Sequence, residues 1–138
     1  YDIIIKEAIS YSVAIIGQDV IDEINILNAT KSGVTQVVEG LDITPDLIII
    51  DALEHIDTKG VQYKSIIKGD AKCYSIGAAS IIAKVTRDRI MREWDTIYPQ
   101  YGFAQHKGYG TKMHMQAIRE YGLTPIHRRS FTKNILHQ

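Results

Sequence analysis

The sequence predicts an α/β fold, and three observations predict it. Runs rich in β-branched and aromatic residues, "YSVAIIG" (Tyr11–Gly17), "LIII" (Leu47–Ile50) and "VQYKSIIK" (Val61–Lys68), read as strands. Stretches with apolar residues at helical spacing are interleaved with them, and that alternation is the signature of an α/β arrangement. The length, 138 residues, suits one domain with a core of its own over residues 1–138.

Taken in order, "YDIIIKEAI" places Ile4, Ile5, Ala8 and Ile9 on one helical face. No Met or capping residue precedes it, so the expectation is that the chain starts partway into a larger protein. Tyr11–Gly17 follows as a strand ended by glycine. "DVIDEINIL" is then a helix with Asp19 as its N-cap. Thr30–Glu39 is a further helix, weakened at Gly33. Leu41–Asp46 is a loop, Leu47–Ile50 a fully buried strand, Glu54–Gly60 a polar turn, and Val61–Lys68 a strand closed by Gly69-Asp70. Ser75 opens the longest helix, whose small residues Gly77, Ala78, Ala79, Ser80 and Ala83 allow close approach of another element. Pro99 follows its end. "GFAQHKGYG" is a glycine-rich loop, and Thr111 caps a last long helix that Gly122 stops. The tail "IHRRSFTKNIL" is irregular or short-helical.

Composition excludes several classes. No apolar run approaches the roughly 20 residues of a membrane span, and no signal-peptide pattern opens the chain. A lone cysteine, Cys73, rules out an internal disulfide and a cysteine-based zinc cage, and suggests a reducing, cytoplasmic setting. Cys73 reads as a small packed residue. Histidines 106, 114 and 127 lack the spacing of a helical zinc site. There is no phosphate-binding Walker loop, dinucleotide fingerprint or nucleophile elbow.

The net charge is zero but unevenly spread. Residues 1–100 hold 10 Lys and Arg against 15 Asp and Glu, whereas residues 101–138 hold six basic residues against Glu120 alone, with four of the five histidines. An acidic body with a basic end over about residues 100–138 suits a protein that holds cations in one place and a polyanion in another, though a solvated surface explains the same asymmetry.

Two strands end on an acid, "DLIIID" at Asp51 and "SIIKGD" at Asp70. The carboxyl end of a strand is where ligands gather in an open α/β sheet. If the two ends are neighbours, the carboxylates repel, and a divalent cation with a preference for hard oxygen ligands relieves that repulsion. Each aspartate alone serves equally well as a turn cap. "QHKGYGTKMH" offers a second kind of site. Gly108 and Gly110 let the backbone approach a phosphate, Lys107 and Lys112 neutralise it, and Tyr109 presents a flat face to a sugar or base. The alternative is a helix-capping loop whose tyrosine packs inward. Lys84 and Asp88, four apart, are expected to pair, while Arg87 and Arg89 are left between solvent and phosphate.

The segments "DEINIL.AT", "PDLIIIDA", "IIKGD", "SIGAASIIAKVTRDRIM", "YPQYGFAQHKGYGT" and "HRRSF", in this order from about Asp22 to Phe131, closely resemble the ribonuclease HII family. The resemblance implies a ribonuclease H-like mixed sheet flanked by helices, here lacking the family's first strands, with a C-terminal helical extension. It implies an endoribonuclease that cuts RNA in RNA–DNA hybrids, and single ribonucleotides within duplex DNA, with two Mg²⁺ or Mn²⁺ ions, leaving 5′-phosphate and 3′-hydroxyl ends. Of the family's four metal-binding carboxylates, two match Asp51 and Asp70. The other two belong to an Asp-Glu-(Ala/Val)-Gly-Arg-Gly motif that is absent from this sequence. Tyr109 matches the substrate-stacking tyrosine, and Lys107, Lys112, Arg128 and Arg129 are candidates for backbone contacts. Ala52 stands where the family usually has Gly, Ala71 where Ser is common, and Gly77 for Ala. With half the ligand set missing, the chain as given is expected to have little or no activity. A non-catalytic nucleic-acid-binding module, and a chain that needs a partner or the missing strand to complete its fold, stay open as readings of other classes.

Overall fold

The computed structural model describes residues 1–133 and 135. The chain divides into two compact units, Tyr1–Ala83 and Lys84–Gln138.

The first unit opens with helix α1 (Asp2–Glu7) and continues with α2 (Gln18–Glu39). It then forms strands β1 (Ile48–Asp51) and β2 (Tyr63–Ile66), the helical turn α3 (Gly69–Lys72), and the start of α4 (Tyr74–Ile97). β1 and β2 pair in parallel, with Ile48 opposite Tyr63 and Asp51 opposite Ile66. The α/β class is therefore correct, with a small parallel sheet among many helices.

Tyr11–Gly17 does not form the expected strand. A strand is defined by a hydrogen-bonded neighbour, and among the described residues none pairs with this segment. Its side chains still alternate. Tyr11, Val13 and Ile15 are exposed, while Ser12, Ala14 and Ile16 are half-buried. The inward set lies along α2. A Cβ on Gly40 would stand 2.5 Å from Ser12 Oγ, so a side chain there would push that hydroxyl aside, and Ile16 packs over Gly33. The Asp42 amide donates to Ser10 Oγ at 3.1 Å, fixing the other end.

The two helices expected before β1 run on as one kinked element. The kink is at Asn25, at φ 67° and ψ 166°, whose side-chain oxygen accepts from the Asn28 amide at 3.1 Å and so caps the second half. The helix starts at Gln18 after an N-cap at Gly17, so Asp19 lies in the first turn instead of capping it. β1 is not fully buried, because Leu47 is exposed and Ile48–Ile50 are only half-buried. A two-stranded sheet leaves much of each strand uncovered.

Residues 52–62 cross from β1 to β2 without a helix, tucked against α2. Thr35 Oγ1 donates to the Asp57 carbonyl at 2.7 Å, and Lys59 bridges Glu39 and Asp57 at 3.0 and 3.1 Å. Buried Ile56 and Thr58 anchor the crossover.

The second unit holds the rest of α4, a 3₁₀ turn at Pro99–Tyr101, and α5 (Phe103–His106), α6 (Lys112–Tyr121) and α7 (Arg129–Thr132). Its core is Tyr101, Phe103, Ala117 and Ile118, with Met91, Trp94, Tyr98, Leu123 and Ile126 packed around it. Thr111 caps α6 as expected, accepting from the His114 amide at 3.2 Å, and Gly122 closes the helix at φ 81°. The glycine-rich loop is partly helical, because Phe103–His106 form a turn braced by Asp95, which accepts from the Ala104 amide at 3.0 Å. The short helix expected in the tail is α7. The parts of that expectation on Asn134 and Leu136, and His137 of the histidine-rich end, lie outside the described residues. Among the described residues no helix is long and apolar enough to cross a membrane.

Candidate metal-binding strand ends and nucleic-acid loop

Parallel pairing brings the carboxyl ends of β1 and β2 to the same side of the first unit. Asp51 closes β1, and its Oδ1 accepts the Gly69 amide at 2.8 Å. Gly69 is buried, and a Cβ on it would meet the Asp51 backbone at 3.4 Å and press on Ile76. Asp70 is the next residue, in the first turn of α3, and its Oδ1 accepts the Ala71 amide at 2.9 Å. Asp51 thus bonds to the residue before Asp70, and both aspartates are exposed. The strand expected to close on Asp70 ends at Ile66, however, and Lys68 turns the chain at φ 56°, so Asp70 lies in a helical turn and not on a strand end. Each carboxylate is steered by a backbone N–H through one oxygen.

Two hard, exposed carboxylates at one strand edge fit a Mg²⁺ or Mn²⁺ ion that keeps several waters. They do not make a full protein cage. Among the described residues no three His, Cys, Asp or Glu side chains converge closely enough to hold a metal ion.

The residue after Asp51 carries strain. Ala52 sits at φ 44°, in the left-handed region that costs a side chain about 1–2 kcal/mol and glycine almost nothing. This gives physical content to the alanine noted in the sequence. Ala52→Gly is expected to stabilise the chain by about 0.5–1 kcal/mol, the strain relieved less the extra freedom of glycine in the unfolded chain. A higher thermal midpoint checks it, and an unchanged or lower one refutes it.

In the second unit, Tyr109 stands on the loop between α5 and α6 and is 64% exposed as a residue. Its neighbours hold the backbone under it. Arg87 of α4 donates to the Lys107 carbonyl at 2.9 Å, and its guanidinium lies 5.7 Å from the Tyr109 ring centroid. Gly108, at φ 80°, has a conformation that favours glycine, and a Cβ there would stand 3.2 Å from Arg87 Nη2 and 3.4 Å from Met91 Sδ, close enough to nudge the arginine. Its amide is already committed to His106 Nδ1 at 3.1 Å. Gly110 is exposed, with open space where a Cβ would be, and it is the more available of the two predicted glycines.

The predicted basic residues divide. Lys107 is half-buried at φ 51°, and its ammonium is turned back onto the Ala104 carbonyl, where it braces the loop. Lys112 is exposed at the start of α6. Arg128 is half-buried with its guanidinium 3.9 Å from the Phe131 ring centroid, and Arg129 is exposed in the first turn of α7. Lys84 and Asp88 pair at 3.3 Å as their spacing predicts.

Sequence reasoning missed two things here. Arg87 was undecided, and only the folded loop shows that it supports Tyr109. The spacing of histidines 106, 114 and 127 excludes a helical zinc site but does not show that all three are buried and in contact. His106 stacks on His114 at 4.2 Å between centroids, and His114 Nε2 lies 3.0 Å from His127 Nε2. A signal existed: His114, Ala117 and Ile118 share the buried face of α6 at i, i+3 and i+4.

The fold is that of a type 2 ribonuclease H. The crystal structure of the ribonuclease H2 from Pyrococcus horikoshii OT3 matches with a TM-score of 0.78, over 99% of this chain and 72% of that one, at 24% identity. Sequence comparison gives the family. Residues 2–134 match the family description "Ribonuclease HII". Ribonuclease HII of Acetivibrio thermocellus is 55% identical over 136 residues, which is 99% of this chain and 53% of that protein. Ribonuclease HII of Clostridioides difficile is 50% identical over the same share of each. This chain belongs to the ribonuclease HII family, and it spans about half the length of these curated relatives.

Proposed function

We propose that these residues are the part of a metal-dependent endoribonuclease that supplies two of its metal-binding carboxylates and its substrate-facing tyrosine. The observation that carries this reading is the Asp51 carboxylate held on the amide just before Asp70. The substrate is the RNA strand of an RNA–DNA hybrid, or a single ribonucleotide in duplex DNA, and the products carry 5′-phosphate and 3′-hydroxyl ends. Asp51 and Asp70 would hold divalent cations, Mg²⁺ or Mn²⁺, and metal ions in such sites polarise a phosphoryl oxygen and make a bound water a better nucleophile. The amides of Gly69 and Ala71 each hold one oxygen of these carboxylates.

In the second unit Tyr109 offers an exposed ring to a sugar or base, while Arg87 and Gly108 keep the loop beneath it in one conformation. Lys112 and Arg129 contribute positive charge for the nucleic-acid backbone, and Lys107 acts through the loop it braces. A second reading is favoured by the lack of a third metal-binding side chain beside the two aspartates among the described residues. On that reading the chain binds nucleic acid without cutting it until a partner or further chain completes the site.

Both readings place Tyr109 on the nucleic acid. Fluorescence anisotropy with a duplex bearing one ribonucleotide tests this. Tyr109→Ala is expected to weaken binding about tenfold, within the range for loss of one stacking contact. Lys112→Ala is expected to reduce the slope of log affinity against log salt by about one unit. Binding by Tyr109→Ala equal to that of the unaltered chain would remove Tyr109 from the interface.

A further inference from the structure

Three buried histidines lie under the Tyr109 loop, and their partners dictate where each proton sits. The Thr124 amide can only donate, and it points at His127 Nδ1 at 3.0 Å, with the Thr124 hydroxyl also within 2.8 Å. His127 Nδ1 must therefore carry a lone pair. The Tyr109 carbonyl can only accept, and His114 Nδ1 lies 2.9 Å from it, so that nitrogen must carry the hydrogen. A neutral imidazole has one N–H and one lone pair. His127 Nε2–H consequently donates to the lone pair of His114 Nε2 across 3.0 Å. The chain of bonds runs one way, from Thr124 through His127 and His114 to the Tyr109 backbone. His106 stands beside it with the same kind of constraint, accepting from the Gly108 amide at Nδ1 and donating from Nε2 to the Tyr101 carbonyl at 2.8 Å.

We propose that His114 is a positioning residue for Tyr109: its Nδ1–H, a tautomer that His127 sets by donating to Nε2, holds the Tyr109 carbonyl, and through it the ring, in the orientation that meets nucleic acid. The proposal rests on the reading of Tyr109 as the nucleic-acid-facing ring. Protonating either histidine breaks the chain, because an added hydrogen on His114 Nε2 would face the His127 N–H, and one on His127 Nδ1 would face the Thr124 amide. The groups that face the pair are His106 from α5, with its ring on His114, and the Tyr101 ring, 5.3 Å from that of His127. None of these supplies a carboxylate to stabilise an imidazolium. The chain also joins the loop to the residue before Arg128, so the two predicted nucleic-acid segments share one support.

Two near-isosteres of His114 separate positioning from simple packing. The side-chain amide of Asn superposes on Nδ1 and can still donate to the Tyr109 carbonyl, whereas Gln carries its amide one bond further out and cannot. In the anisotropy assay at pH 7.5, His114→Gln is expected to bind about fivefold more weakly, the scale of one lost hydrogen bond, with His114→Asn within about twofold of the unaltered chain. Equal weakening by both variants, or by neither, overturns the proposal. Tyr109→Ala is run alongside. If it binds like the unaltered chain, the nucleic-acid reading fails and takes the proposal with it. If it weakens binding while the two His114 variants behave alike, only the positioning proposal fails. Long-range ¹H–¹⁵N spectra of the unaltered chain need no variant. They are expected to show Nδ1–H on His114 and Nε2–H on His127, and the opposite tautomer on either overturns the proposal.

Discussion

Cleavage at or near background is the expected result when the 138-residue chain is incubated with Mg²⁺ or Mn²⁺ and a duplex carrying one ribonucleotide. Two-metal catalysis needs each ion held firmly enough to share the charge of the scissile phosphate. On the proposed reading Asp51 and Asp70 would hold the ions, and among the described residues no group of three His, Cys, Asp or Glu side chains converges to hold a metal. Losing charge stabilisation on that scale slows a reaction by about a hundredfold or more. The deficit should appear against the longer ribonuclease HII of Acetivibrio thermocellus, assayed side by side. Any residual cutting is expected to vanish in Asp51→Asn. Asparagine keeps an oxygen to accept the Gly69 amide, so the fold persists while the anionic ligand is lost, and an unchanged melting curve checks that. Robust metal-dependent cleavage by the chain would overturn the expectation, and residual cleavage surviving in Asp51→Asn would remove that residue from the site.

The second large effect is acid destabilisation. Burial, followed by the proximity of His114, holds the His127 imidazole down to about 4, and burial also lowers His114 below the usual histidine value. A depressed histidine is neutral in the folded chain and takes up a proton on unfolding. Stability from this source is complete above the unfolded value near 6.5, and is lost as the pH falls from there through about 4. By pH 5 the loss is on the order of 2 kcal/mol, reduced to the extent that nearby solvent screens the site. Urea unfolding at pH 7.5 and 5.0 measures it, and His127→Gln is expected to flatten most of the difference. Equal stability at the two pH values would show that the imidazoles are not held neutral.

Local chemistry made much of this fold legible. Thr111, the amphipathic run after it and Gly122 define α6 without help from distant residues, and the i, i+4 spacing of Lys84 and Asp88 allows the ion pair that the structure shows. The strand ending in an acid was a local pattern only for Asp51, which closes β1. The strand expected to run on to Asp70 stops at Ile66, and Asp70 lies in the first turn of α3. What failed depended on partners. Tyr11–Gly17 has strand chemistry, but a ladder needs a neighbour that the segment itself cannot specify. The Lys107 ammonium was expected to face a phosphate. It donates instead to the Ala104 carbonyl of its own helical turn, a direction that residue type alone does not encode. The histidines were missed because residues 106, 114 and 127 come together only when α5, α6 and the segment after α6 close on the Tyr101–Phe103 core.

The segment before α2 has a practical corollary. Tyr11, Val13 and Ile15 alternate outward as an oily row open to water, and Ile9 and Leu47 of the same unit are exposed as well. Sulfate or phosphate at high concentration strengthens the tendency of such a row to hide, and chilling weakens it. The chain should therefore keep best in cold, dilute buffer and salt out early on concentration, with molecules sticking together through this row.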